Sequence, residues 1–187
     1  MAKLIYVTNL SLDGYIEDEH GDFAWFPPDD EVFAFTTEIV RMVGTFLYGR
    51  RLYELMAVWE TDPALAARSE LMADFAGAWK AADKVVYSTT LAAVPTANTR
   101  LERRFDPAAV RHLKATAGGD LAIGGADLAT QAFTAGLVDE CWLLVWPVVV
   151  GGGKPGLPTG VRTDLELLEQ RRFRNGVVYL RYRPLGQ

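Results

Sequence analysis

The sequence is poor in residues that mark several common chemistries. It has one cysteine, Cys141, so no internal disulfide can form. Trp142, Leu143, Leu144 and Val145 follow it, which predicts a buried thiol rather than a reactive one. It has two histidines, His20 and His112. Neither falls at metal-ligand spacing with the cysteine or with the other, and no metal site is expected. Cations are in the minority: 19 Lys and Arg against 24 Asp and Glu, a net charge of −5. A general nucleic-acid binder carries the opposite balance, so no nucleic-acid partner is expected. The longest apolar run, Cys141 to Val150, is about half of what spans a bilayer as a helix. The N-terminus lacks the basic stretch and long apolar segment of a secretory signal, and Asp13 interrupts early. A cytoplasmic protein without a membrane partner is expected. Two catalytic signatures are also missing, the G-x-S-x-G elbow and the G-x-x-x-x-G-K-[ST] loop.

What is present describes a compact core. Of 187 residues, 50% are apolar and five are Trp. At about 150 residues per domain this is one domain spanning the chain. Lys3 to Leu10 reads as a buried strand, and Asp13-Gly14 as a turn. Residues 18 to 30 form a loop with Gly21, Pro27 and Pro28. Asp29 or Asp30 caps a helix running to about Val43, which Gly44 ends. A strand at Thr45 to Tyr48 leads through Gly49-Arg50-Arg51 to a helix starting near Leu52. Asp62-Pro63 opens a helix reaching towards Ala82, with a break expected near Gly77. A strand at Lys84 to Ser88 follows. Asp106-Pro107 opens another helix, closed by Gly118-Gly119. Asp120 to Ile123 is a strand, and Asp127 caps a helix over Leu128 to Ala135 with Gly136 at its C′ position.

Glu140 to Val150 reads as a long central strand, with a bulge or break at Pro147. Gly151 to Gly160 is a Gly/Pro loop. Strands near 165–174 and 177–183 close the chain around an Asn175-Gly176 turn. Alternating strands and helices predict an α/β fold with a parallel sheet, and the hairpin adds antiparallel strands. Paired sheet edges would hide open ladder groups, so a homodimer is expected.

Three strand ends carry groups suited to phosphate. Gly124-Gly125 stands between a strand and a helix, where backbone N–H groups and the helix dipole favour an anion. A tight strand–helix turn explains the same glycines. Arg50 and Arg51 stand at a helix start, the wrong end for cations, which favours an anionic ligand there. Ser88, Thr89 and Thr90 put hydroxyls at a third strand end. In open α/β sheets ligands bind at that edge. Gly151-Gly152-Gly153-Lys154 has the look of a phosphate loop, but Pro155 follows and no helix starts there. It reads as a plain loop.

The ordered set Ser11-Leu12-Asp13-Gly14, Gly49-Arg50-Arg51-Leu52-Tyr53-Glu54, Lys84 to Leu91, Ile123 to Leu128, and Val138-Asp139-Glu140 with Pro147 to Gly153 resembles the dihydrofolate reductase-like superfamily. It looks closest to the branch that includes the reductase domain of bifunctional riboflavin-biosynthesis deaminase-reductases. The resemblance implies a three-layer fold, with a twisted, mostly parallel sheet of about eight strands and helices on both faces. It also implies NADPH as hydride donor to a small heterocyclic or carbonyl substrate. Gly49, Arg50 and Arg51 would then contact the cofactor phosphates, with Ser88 and Thr89 near the adenosine 2′-phosphate. Ile123, Gly124 and Gly125 would pass under the pyrophosphate, through a strained or cis peptide. Ala126, Asp127 and Leu128 would open the facing helix, and Val7 and Thr8 would lie near the nicotinamide. Leu52 stands where many relatives carry Thr, at a cost of about 1 kcal/mol in phosphate binding. Asp30 is the first candidate proton donor and Asp13 the second, although an N-cap and a turn role also suit them. Trp25, Phe26, Phe33 and Trp59 would wall the substrate, or pack as core aromatics. Two alternatives stay open: a reductase of a phosphorylated ribosylamino-pyrimidine, and a non-catalytic nucleotide-binding or dimerising module.

Overall fold

The computed structural model describes residues 1–26 and 29–186. The part of the expected loop at Pro27 and Pro28 lies outside them. The strands are β1 (Leu4–Ser11), β2 (Tyr15–Glu17), β3 (Val43–Gly49), β4 (Asp83–Tyr87), β5 (Thr99–Glu102), β6 (Asp120–Gly124), β7 (Glu140–Trp146), β8 (Lys154–Pro155), β9 (Asp164–Arg172) and β10 (Val178–Leu185). The helices are α1 (Asp30–Met42), α2 (Arg50–Thr61), α3 (Pro63–Ala66), α4 (Glu70–Ala81), α5 (Pro107–Thr116) and α6 (Ala126–Thr134). No helix among the described residues is long and apolar enough to cross a membrane.

Eight strands form one sheet in the order β5-β4-β3-β6-β1-β7-β10-β9. The first six run parallel, and β10 runs antiparallel to both of its neighbours, β7 and β9. Side chains alternate across β1. Ile5 joins the core shared with α1, α2 and α4, whereas Leu4, Tyr6 and Leu10 join the core under α5 and α6. β7 alternates likewise, Trp142 and Leu144 on one face, Cys141 and Leu143 on the other. Helices cover both faces, which is why these strands read as continuous apolar runs. This is the expected three-layer, dihydrofolate reductase-like α/β architecture. Cys141 is buried, and burial pushes its thiol up to about 12, so it is inert near neutral pH.

Local chemistry explains where the elements differ from the sequence reading. α1 is capped by Asp29, whose carboxylate accepts from Val32 N at 2.9 Å. It stops at Met42, and β3 begins at once, so Gly44 lies in the strand rather than ending the helix. A Cβ at Gly44 would stand 3.7 Å from Gly119 Cα, a close backbone approach. The helix expected from Pro63 to Ala82 is two helices. The break falls at Ala67–Ser69, because Ser69 accepts from Met72 N at 3.2 Å and starts α4, while Gly77 sits inside it. Asp127 does not cap α6: it is the second residue of that helix, and Gly125 holds the N-cap position. β7 ends at Trp146, just before Pro147, as the missing N–H demands. β2, β5 and β8 add to the expected elements, and β2 pairs antiparallel with β8 in a small separate ribbon.

Candidate functional site

The expected phosphate-binding segments converge at the carboxyl edge of the sheet. β6 lies between β3 and β1, with Tyr48 of β3 opposite Gly124 of β6. The turns leaving β3 and β6 are therefore neighbours, and α2 and α6 start side by side. Their N-caps are Gly49 and Gly125, and neither gives a side-chain cap bond. The other helices are capped by Asp29, Asp62, Ser69 and Asp106. First-turn N–H groups of α2 and α6 are thus left to another acceptor.

Gly125 has φ +91°, a conformation that suits glycine. Among the described residues no peptide is cis, and glycine adopts this φ without strain. A Cβ at Gly124 would lie 2.5 Å from Leu52 Cδ2, so the Leu52 side chain covers this glycine. Nothing lies within 4 Å of a Cβ built on Gly49 or Gly125, and both turns are open. Ala126 and Leu128 are buried against the sheet, as is Ile123, while Asp127 is exposed.

The arginines are not left to an external anion alone. Arg50 donates to Glu54 Oε1 (2.9 Å) and to Thr90 Oγ1 (2.8 Å). Arg51 grips both oxygens of Glu17, at 3.1 and 3.0 Å. The cations at the start of α2 therefore carry their own carboxylates. At the end of β4, the Ser88 hydroxyl accepts from Thr90 N and Leu91 N and shapes the turn, whereas Thr89 is exposed.

Val7 and Thr8 lie on opposite faces of β1. Val7 packs on the same core as Trp25, Phe26, Phe33 and Trp59, and Thr8 Oγ1 donates to Asn9 O. The aromatics fall in two groups. Trp25 packs on Phe26 with the rings tilted at 53° (3.9 Å between centroids), and Phe26 meets Trp146 at 5.3 Å. Phe33 and Trp59 close a triad with Phe75 between α1, α2 and α4.

The carboxylates at the start of α1 have separate roles. Asp29 is the cap, and Glu31 accepts from Arg174 N at 3.1 Å and pairs with Arg171. Asp30 is exposed and makes no hydrogen bond or ion pair among the described residues. Asp13 accepts from Gly151 N (2.8 Å) and Val150 N (3.2 Å). Hydrogen bonding from Ser11 and from these backbone amides holds its carboxyl below the usual carboxylate range.

Two residues near this edge, Asn9 and Glu17, carried no sequence signal, and Lys154 read only as part of a plain loop. Asn9 accepts from Trp146 Nε1 at 2.9 Å, beside the aromatic loop. Glu17 and Lys154, paired in the β2–β8 ribbon, reach Arg51 and Asp127. A groove of about 530 Å3 between α1 and α4 opens at the opposite end of the sheet, lined by Ala73, Gly77 and Ala81. It touches none of these groups.

With this geometry in hand, relatives are informative. Residues 2–179 match the family model described as the RibD C-terminal domain. The Bacillus subtilis protein YyaP is 31% identical, over 96% of this chain and 94% of its own length. Among known structures, a protein from Shewanella sp. PV-4 assigned to riboflavin biosynthesis superposes with a TM-score of 0.76 at 20% identity, each chain covered completely. A pyrimidine reductase-like protein from Corynebacterium diphtheriae gives 0.66 at 12% identity, over 100% of this chain and 93% of the other. RibD from Acinetobacter baumannii gives 0.66 at 18%, over 100% of this chain but 59% of its own. These similarities share the fold, and the family match runs through the motifs that build the sheet edge: the protein belongs to the RibD C-terminal domain family.

Proposed function

We propose that the protein is an NADPH-dependent reductase of a small heterocyclic or carbonyl substrate. One observation carries this reading: the two helices that start side by side at the carboxyl edge are the two without a side-chain cap. A pyrophosphate offers the acceptors that their N–H groups lack, and the helix dipoles favour its charge. The donor set fits a dinucleotide: Gly49, Arg50, Arg51, Gly124, Gly125 and the first turn of α6, with Thr89 and Thr90 beside Arg50 for a further phosphate.

NADPH supplies a hydride when bound; this chain's residues bind, orient and protonate. Val7 in the middle of β1 would back the nicotinamide, and the aromatics of the same core would exclude water from a flat substrate. Reduction of C=N or C=O needs one proton at the heteroatom. Asp30 is our candidate donor, because its carboxylate has no other task among the described residues. Asp13 is held ionised by Ser11 and by amides of the loop after β7, which suits a loop clamp better than a proton donor.

Titration with NADPH, with NADH as control, tests the reading. Saturable binding, tighter for NADPH, is expected, and no heat or fluorescence change at millimolar cofactor overturns it. Given turnover, Asp30→Asn is expected to lower kcat by about a hundredfold or more with cofactor affinity retained. An unchanged rate removes Asp30 from the mechanism.

Family membership favours a second reading of the substrate, a phosphorylated ribosylamino-pyrimidine. Turnover of that compound against a panel of other C=N and C=O compounds separates the two. Inertness towards all of them would leave the nucleotide-binding module.

We also propose a homodimer through β9. Every residue of this edge strand is exposed, Leu165, Leu167 and Leu168 among them. It is acidic at its start (Asp164, Glu166) and basic at its end (Arg171, Arg172), so antiparallel pairing with a second copy sets acid against base. Sedimentation should give twice 20.6 kDa, and Leu168→Asp should give the monomer. A monomeric unaltered chain refutes this assignment.

A further inference from the structure

The β2–β8 ribbon joins the two open helix starts through a single rung. Glu17 and Lys154 are register partners, and their side chains reach different helices. Glu17 holds the guanidinium of Arg51, the second residue of α2. Lys154 Nζ lies 2.6 Å from Asp127 Oδ2, on the second residue of α6. The two pairs are oppositely arranged. At α2 the carboxylate is on the ribbon and the cation on the helix; at α6 the cation is on the ribbon and the carboxylate on the helix.

Exposure tells which partner of each pair is free to turn. Glu17 is covered (16% exposed) and Arg51 is open (68%). Lys154 is mostly covered (27%) and Asp127 is open (84%). The ribbon itself is fixed. Asp13 binds the amides of Val150 and Gly151, Gly156 N donates to Gly14 O at 2.9 Å, and the Tyr6 hydroxyl donates to Gly156 O. Release of an ion pair therefore needs a side-chain rotation and no movement of the ribbon.

We propose that this rung is a charge-exchange clasp, and that Lys154 is a phosphate ligand alongside Arg51. The inference rests on the dinucleotide reading above and adds its regulation. Without ligand, Glu17 and Asp127 neutralise the two cations. When phosphate groups arrive, Arg51 turns off Glu17, and Asp127 turns off Lys154, leaving its ammonium to a phosphate oxygen. Each pair keeps one partner open to water (Arg51, Asp127), where an ion pair is weak, so a phosphate carrying more charge displaces it. Asp127, a carboxylate in the first turn of α6, competes with a phosphate both for Lys154 and for the dipole of that helix. Glu17 and Asp127 are thus positioning residues; Arg51 and Lys154 bind.

Titration of the full chain with NADPH, followed by fluorescence and calorimetry, tests the clasp. Lys154→Met and Arg51→Met should each weaken binding by about tenfold or more, as loss of a charge-assisted bond does. Glu17→Gln and Asp127→Asn should each tighten it by about two- to fivefold, the release of an exposed ion pair. Glu17→Gln should have no effect in the Arg51→Met background, a coupling that a merely structural glutamate does not show. Inorganic pyrophosphate should displace NADPH more readily from the Glu17→Gln protein than from the unaltered one. Weaker binding by either carboxylate variant, an unchanged Lys154→Met, or a Glu17→Gln effect that persists without Arg51 overturns the clasp. Arg51 and Asp127 are exposed, so their variants decide the matter even if Lys154→Met does not fold. No binding by the unaltered chain overturns the dinucleotide reading itself, and the clasp with it.

Discussion

Replacing Glu140 by alanine is expected to cost about 3–5 kcal/mol of stability, the range for a buried ion pair broken from one side. Glu140 is buried at the start of β7. One oxygen takes Lys3 Nζ (2.7 Å) and Arg181 Nη2 (3.1 Å). The other takes Arg181 Nε (2.6 Å) and Trp142 Nε1 (2.8 Å). Without the carboxylate, a buried indole N–H and a half-buried guanidinium lose their acceptor together. The same site makes stability acid-sensitive. Burial alone would raise the carboxyl, but hydrogen bonds from Arg181, Lys3 and Trp142 outweigh it and hold the pKa at about 2, against an ordinary 4.5. The folded value lies below the unfolded one. The contribution is therefore fully present above pH 4.5 and is lost as pH falls from there towards 2. That shift is worth roughly 3 kcal/mol. Urea titrations at pH 7 and at pH 3 should show Glu140→Gln less stable at the higher pH, with the gap narrowing at the lower. A gap that stays constant between the two would refute this assignment.

This centre was invisible in the sequence, and the reason is physical. Lys3 just before β1, Glu140 in β7 and Arg181 in β10 are distant in sequence, and only the register of these strands makes them neighbours. The elements themselves were legible because their signals are local. Asp-Pro pairs at 62–63 and 106–107, the Asn175-Gly176 turn and the apolar strands each act within a few residues. Where two local signals competed, the reading failed. Asp127 looks like a cap beside Gly125, but the chain turns at Gly125, so Asp127 falls inside α6 and is left for Lys154. The break expected at Gly77 falls at Ser69 instead, where a hydroxyl serves the next helix start. The candidate site divides the same way. Gly49, Gly124 and Gly125 declare themselves by their strand-to-helix position. Glu17 and Lys154 do not, because β2 and β8 are too short for periodicity and Pro155 argues against a strand. Their partners are fixed by tertiary pairing alone.

Gly153 gives the sharpest test of that ribbon. Its φ is +135°, a conformation that disfavours any side chain. A Cβ there would lie 2.0 Å from Glu17 O and 2.7 Å from Asp18 Cα. Both are backbone atoms, so no rotamer change relieves the clash, and β8 must move off β2. Gly153→Ala is therefore expected to displace Lys154 and loosen Glu17 together. The strain costs about 1–3 kcal/mol locally. The ribbon packs at the edge of the fold, outside the eight-stranded sheet. The large sheet should persist, with an unchanged far-ultraviolet spectrum and cooperative melting. NADPH affinity should fall by about tenfold or more, the loss of the charge-assisted contact from Lys154. Gly152→Ala is the matched control, since a Cβ there meets nothing within 4 Å and its φ is not in the left-handed range. It should bind like the unaltered chain. If Gly153→Ala stays folded and binds as tightly as Gly152→Ala, the ribbon has no part in cofactor binding, and the two cations at its rung serve only their own carboxylates.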